Sequence, residues 1–150
     1  MGVQIGDKVP EFSLLDQHGQ WFSIGSILGK KPFVLFFYPK DNTPGCTKEA
    51  CDFRDGYDDF KGLGAEVIGI SADTHQTHSG FAKKHRLPFL LLSDRQNKVR
   101  KLFGVKPSFL GLLPGRETYV VDKAGTIIMI YNSINALQHR NSALHALKAL

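Results

Sequence analysis

Two cysteines stand five positions apart in the run Pro39-Lys40-Asp41-Asn42-Thr43-Pro44-Gly45-Cys46-Thr47-Lys48-Glu49-Ala50-Cys51, and the chain has no others. The run has the grammar of a helix start. Thr43 suits the N-cap and Pro44 the first helical position. Cys46 then falls three residues after the cap, where a capping box would hold Glu or Gln. A sulfur placed there faces unpaired backbone N–H groups and the positive end of the helix dipole. Both favour the thiolate, the nucleophilic form of the side chain. The competing reading is a buried thiol acting as a small apolar residue. The polar approach through Asp41, Asn42 and Thr43 argues against it.

Cys51 stands in a different relation to the helix. Over five residues a continuous α-helix rises about 7.5 Å, which leaves the two Cα atoms roughly 8–9 Å apart on different faces. A disulfide needs a Cα separation below about 7 Å. The pair can therefore bond only if the helix start unwinds; otherwise Cys51 is a packed core thiol. The same separation weakens a shared metal. His75 and His78, with His85 nearby, form no H-E-x-x-H and are expected on a solvated helix face with no acidic partners.

These cysteines need a frame. Pro32 to Tyr38 is continuously apolar, as a strand buried on both faces would be, and Pro39 ends it. A helix is predicted from Pro44 to about Lys61. Further strands are predicted at Ala65–Ser71 and Phe89–Ser93, and helices at Thr74–His85 and Arg95–Phe103. A small hairpin joins Phe12–Leu15 to Gln20–Ser23, and a second joins Arg116–Asp122 to Thr126–Tyr131. A last helix is predicted over Asn135–Leu150, with Leu137, Leu144 and Leu147 on its apolar face. Trp21 and Tyr38 read as core aromatics. The apolar loop Pro107–Pro114 is expected to pack near the site, on the body of the fold or as a docking patch. Strands alternating with helices, then a late hairpin, give an α/β layer structure with a mixed sheet and helices on both faces.

Composition narrows the class. One hundred and fifty residues with 42% hydrophobic and 22% charged content suit one globular domain, 1–150. The net charge of +5 is scattered rather than clustered, which argues against nucleic acid as a partner. No stretch is long and apolar enough to span a membrane. Met1 to Pro10 lacks the marks of a signal or transit peptide, so a cytoplasmic location is expected. Two cysteines are too few for a disulfide-stapled secreted fold.

Pro39, Thr43 and Cys46 spell P-x-x-x-T-x-x-C, which resembles the active-site pattern of peroxiredoxins. The longer string Phe37 to Cys51 resembles the peroxiredoxin Q branch, also called bacterioferritin comigratory protein. The likeness extends from Gly6-Asp7-Lys8-Val9-Pro10-Glu11-Phe12 to Leu113-Pro114-Gly115-Arg116-Glu117-Thr118-Tyr119-Val120-Val121-Asp122. It implies a thioredoxin-like fold and reduction of hydrogen peroxide and organic hydroperoxides without a cofactor. By the same resemblance Cys46 is the peroxidatic nucleophile and Cys51 the resolving cysteine. Pro39, Thr43, Gly45 and Arg116 form the substrate pocket, and no spacing rule would have found Arg116. The implied cycle runs through a Cys46 sulfenic acid and a Cys46–Cys51 disulfide that thioredoxin or a similar dithiol reduces. The branch implies a monomer. Glu49 is expected either to order Thr43 or Arg116 or to serve the helix dipole.

Two rival readings remain on the same fold. A thiol-disulfide oxidoreductase would normally carry C-x-x-C, which is absent here. A non-catalytic interaction or chaperone-like module would need none of Pro39, Thr43, Cys46 and Arg116 together.

Overall fold

The structure is a computed structural model and describes residues 2–107 and 115–150. Its frame is a seven-stranded sheet. In chain order the strands are β1 (Ser13–Leu15), β2 (Trp21–Ser23), β3 (Phe33–Phe37), β4 (Glu66–Ser71), β5 (Leu90–Ser93), β6 (Glu117–Val121) and β7 (Ile127–Asn132). Their order across the sheet is β2-β1-β5-β4-β3-β6-β7. The β3–β4 and β4–β5 pairs are parallel, and the other pairs are antiparallel. This is the mixed sheet of a thioredoxin-like fold.

The apolar run of β3 divides between two cores because side chains alternate along a strand. Val34, Phe36 and Tyr38 face one core, and Phe33, Leu35 and Phe37 the other. The first core is covered by helices α1 (Pro44–Asp55), α2 (Tyr57–Gly62), α3 (His75–His85) and α5 (His139–Lys148). There Phe53 of α1 stacks on Phe36 with ring centroids 4.5 Å apart. The second core is closed by α4 (Lys98–Phe103), whose Phe103 packs edge-on against Tyr119. Helices thus lie on both faces, and β3, at the centre, reads as a run rather than an alternation.

The helix predicted from Pro44 to Lys61 is two helices. The break is at Gly56, whose N–H closes α1 onto the Asp52 carbonyl while its own carbonyl accepts from Asp59. A Cβ at Gly56 would stand 2.5 Å from Arg140 Cδ, so glycine admits the Arg140 side chain that pairs with Asp52. The terminal helix begins as a short 3-10 turn at Ala136–Gln138 and becomes α-helical at His139. Leu147 is buried, but Leu137 is 53% exposed and does not belong to the expected apolar face. Tyr38 is fully buried as expected, whereas Trp21 is 73% exposed on the outermost strand, where nothing packs over its outer side. Residues 108–114, expected beside the site, lie outside the described residues.

Candidate active site

The site forms where β3 ends. Tyr38 continues the strand, donating its N–H to Ile70, and Pro39 then denies the sheet a donor. Asn42 turns the chain at φ 64°, a left-handed conformation that Asn tolerates. Thr43 is the N-cap of α1 and Pro44 opens the helix, as predicted. The cap bond, however, is absent. The Thr43 hydroxyl donates to the Lys40 carbonyl at 2.7 Å instead, tying the loop to itself. The first N–H groups of α1 are therefore left without a side-chain partner.

Cys46 is buried at 1% exposure in the first turn of α1. Two donors reach its sulfur. The Lys40 backbone N–H and Arg116 Nη2 each lie 3.5 Å from Sγ. The backbone donor comes from the loop and not, as the sequence suggested, from the helix terminus. Arg116 immediately precedes β6, which pairs with β3 and so brings residue 116 beside residue 46. A Cβ at Gly45 would stand 3.1 Å from Arg116 Nη2, so glycine leaves room for the guanidinium that reaches the sulfur. Pro39 and Thr43 are half-buried at the rim.

Arg116 is held from behind. Its Nη1 donates to Glu49 Oε1 at 2.6 Å, and Glu49 is fully buried one turn after Cys46. Of the expectations for Glu49, ordering Arg116 is the one the geometry fulfils. Burial pushes the Glu49 carboxyl up to about 8, although Arg116 pulls the other way. For Arg116 itself burial opposes the charge, but Glu49 and Cys46 outweigh it and raise the group further. Arg100 braces the frame, donating from Nη1 to the Gly115 carbonyl and from Nη2 to the Tyr38 carbonyl. It thus joins the residue before Arg116 to the residue before Pro39. Sequence reasoning missed this role; the buried basic residue on α4 had no local signal.

Both cysteines are free thiols, and both lie within the unbroken helix α1. The helical separation worked out above therefore applies: they do not pair in this conformation. Cys51 is half-buried.

The histidines depart from expectation. His78 is fully buried, not solvated. Its Nε2 donates to the Leu92 carbonyl at 3.0 Å, and its Nδ1 lies 2.6 Å from Asp41 Oδ2. Tyr38 Oη donates to the other Asp41 oxygen at 2.6 Å. Asp73, which accepts from the Asp41 and Ser71 donors, completes a cluster of Asp41, Asp73 and His78. Acidic partners are thus present, but they come from the loop after β3 and the end of β4, beyond the reach of a local motif. Both Asp41 oxygens, both His78 nitrogens and Asp73 Oδ2 are already satisfied by protein groups.

Comparison with known proteins places the chain in a family. The AhpC/TSA family profile matches residues 5–130. Peroxiredoxin Q, chloroplastic, of Sedum lineare is 51% identical over 149 residues, covering 99% of this chain and 80% of that protein. The crystal structure of peroxidoxin BcpB from Mycobacterium tuberculosis superposes with a TM-score of 0.90 at 40% identity, covering 99% of this chain and 98% of that one. A Xanthomonas campestris bacterioferritin comigratory protein, described for its alkyl peroxide reduction activity, gives a TM-score of 0.84 at 28% identity, over 95% of this chain and 98% of that one. The expected cytoplasmic location does not stand. The Sedum relative is named chloroplastic, as are those from Populus jackii, Triticum aestivum and Arabidopsis thaliana. The expectation rested on Met1 to Pro10, and the residues of a folded domain do not report its compartment. No helix among the described residues is long and apolar enough to cross a membrane. On family match, identity and fold together, the chain belongs to the AhpC/TSA family and is a peroxiredoxin of the Q type, an enzyme that reduces peroxides with thiols.

Proposed function

We propose that Cys46 is the peroxidatic nucleophile, and that residues 1–150 act as one monomeric catalytic unit. The observation that carries this reading is the convergence of Arg116 and the Lys40 N–H on the Cys46 sulfur, each at 3.5 Å. The Cys46 thiolate attacks the terminal oxygen of R–O–OH. An S–O bond forms, the O–O bond breaks, and the departing oxygen takes up one proton to leave as water or an alcohol. Arg116 stabilises the charge that grows on the peroxide oxygens, a preorganised contribution of the kind that dominates such steps. Thr43, with its proton on the Lys40 carbonyl, offers a lone pair to the peroxide O–H. Gly45 keeps the approach open and Pro39 shields the sulfur from water.

Cys51 then condenses with the Cys46 sulfenic acid and releases water, after the first turns of α1 unwind. Thioredoxin or a similar dithiol reduces the disulfide by exchange. Organic hydroperoxides stand beside hydrogen peroxide as substrates, supported by the alkyl peroxide activity ascribed to the Xanthomonas relative. The test is intact mass after one equivalent of peroxide. Loss of two hydrogen masses from a monomer, reversed by thioredoxin, is expected. A Cys46→Ser protein that still consumes peroxide at the wild-type rate would overturn the assignment.

A further inference from the structure

Behind Arg116 the pocket continues into a buried polar cluster. Glu49 Oε1 is occupied by Arg116, but Glu49 Oε2 is buried and has no hydrogen-bond partner among the described residues. His139 Nδ1, on α5, lies 3.5 Å from that oxygen, and both side chains are fully buried. His139 Nε2 stands 2.8 Å from the Ser133 carbonyl, so it carries a proton, because a carbonyl only accepts. The Thr118 hydroxyl lies 2.7 Å from Nδ1, and because burial holds the ring below the usual imidazole range, Nδ1 accepts from it. The imidazole is then neutral. Its Nδ1 and an ionised Glu49 Oε2 would face each other with lone pairs only, both shut away from the surface.

Charge counting leads to the same place. An ionised Glu49 and an ionised Cys46 would draw their hydrogen bonds from one guanidinium, that of Arg116. Arg100, also buried, spends its donors on the Gly115 and Tyr38 carbonyls, and its charge acts on Asp94, Cys46 and Glu117 but not on Glu49. On α1, Asp52 adds negative potential toward Glu49, and Arg140 of α5 lies 3.1 Å from Asp52. On β7, the Tyr131 ring packs edge-on against His139 and its hydroxyl donates to Gln138. None of these groups gives Glu49 a second cation.

We propose that Glu49 holds a proton while Cys46 is ionised, facing a neutral His139, so that the Arg116 charge is directed at the sulfur and at bound peroxide. This rests on Cys46 being the nucleophile. Glu49 is a positioning residue here, and its proton is not the one taken by the departing oxygen, because the guanidinium stands between them. Burial acts on both members in the required direction, raising Glu49 to about 8 and holding His139 down to about 4. Ionisation of Glu49 places a second anion on the guanidinium and withdraws it from the reaction. The peroxide reaction therefore has an alkaline limit set by a carboxyl group.

The test uses reduced protein carrying 13C in the carboxyl groups of Glu11, Glu49, Glu66 and Glu117, with the Glu49 resonance identified by its loss in Glu49→Gln. A Glu49 titration near 8 is expected, recorded alongside the thiolate absorbance of the Cys51→Ser protein. The stopped-flow rate with hydrogen peroxide should fall about tenfold across the same midpoint, and this fall should be missing in Glu49→Gln. His139→Gln should shift the Glu49 midpoint. A Glu49 resonance titrating in the ordinary carboxyl range while the thiolate is present overturns the proposal, as does an alkaline fall that persists in Glu49→Gln. Failure of Cys46 to react at any pH would instead defeat the nucleophile assignment, and the Glu49 titration would still be legible.

Discussion

Two fully buried histidines flank the active-site loop, and they are built alike up to one contact. His78 and His139 each place Nε2 on a backbone carbonyl, of Leu92 and Ser133 respectively, and turn Nδ1 toward a carboxyl group. For His78 that contact is 2.6 Å, to Asp41, whose other oxygen is filled by Tyr38. For His139 it is 3.5 Å, to a Glu49 oxygen that nothing else among the described residues satisfies. The first cluster is closed and holds the chain in place. It fixes the loop carrying the Lys40 N–H against β4 and α3. The second is open by one bond and sits directly behind the arginine that touches the sulfur. A satisfied network rigidifies, while an unsatisfied one stores sensitivity to protonation. The two sides of the pocket thus divide the work between placing donors and setting their charge.

Substitutions can break this division, and the largest effect belongs to the charge side. Arg116→Met removes the donor to the sulfur and to the peroxide, and should lower the second-order rate with peroxide by about a hundredfold to a thousandfold, read by stopped flow. Next is His78→Ala on the closed side. It leaves Asp41 and the Leu92 carbonyl buried without their partner, and should cost about 3–5 kcal/mol in urea unfolding. If the loss appears in peroxide rate with stability intact, the assignment of the two sides is reversed.

Oxidation should act on the helix that both sides frame. Amide-exchange protection from Cys46 to Phe53 should drop once the Cys46–Cys51 disulfide is verified, because that bond and the intact helix are incompatible. Stability should also depend on pH. The folded chain keeps on Glu49 a proton that the unfolded chain loses between about 4.5 and 8, so folding weakens as pH rises through that window. Glu49→Gln lacks this slope, and its stability relative to wild type should increase over the same range in parallel urea titrations. The smallest expected effect is Gly45→Ala. Its methyl group presses on Arg116 Nη2, which can yield, and the peroxide rate should fall by roughly threefold to tenfold.

Much of this was legible along the chain. The order of strands and helices, the cap at Thr43 and Pro44, and the position of Cys46 in the first helical turn follow from local patterns that act over a few residues. So does the incompatibility of a Cys46–Cys51 bond with a continuous helix, since helical rise alone decides it. Gly56 was overlooked as a break because one glycine within a helical pattern is locally tolerable. The close approach of Arg140 is what gives it meaning.

The electrostatics of the pocket had no such local mark. Arg116 reaches residue 46 only because β6 pairs with β3, and Glu49, Thr118 and His139 meet only because α1 and α5 pack on one face of the sheet. His78 looked like a surface histidine until the end of β4 and the loop after β3 closed over it. Two cysteines at a helix start announced thiol chemistry because residue type, spacing and helix-start pattern are local properties of the chain. Which donors reach that sulfur, and which proton governs them, depends on burial and on partners tens of residues away, and those exist only once the sheet has formed.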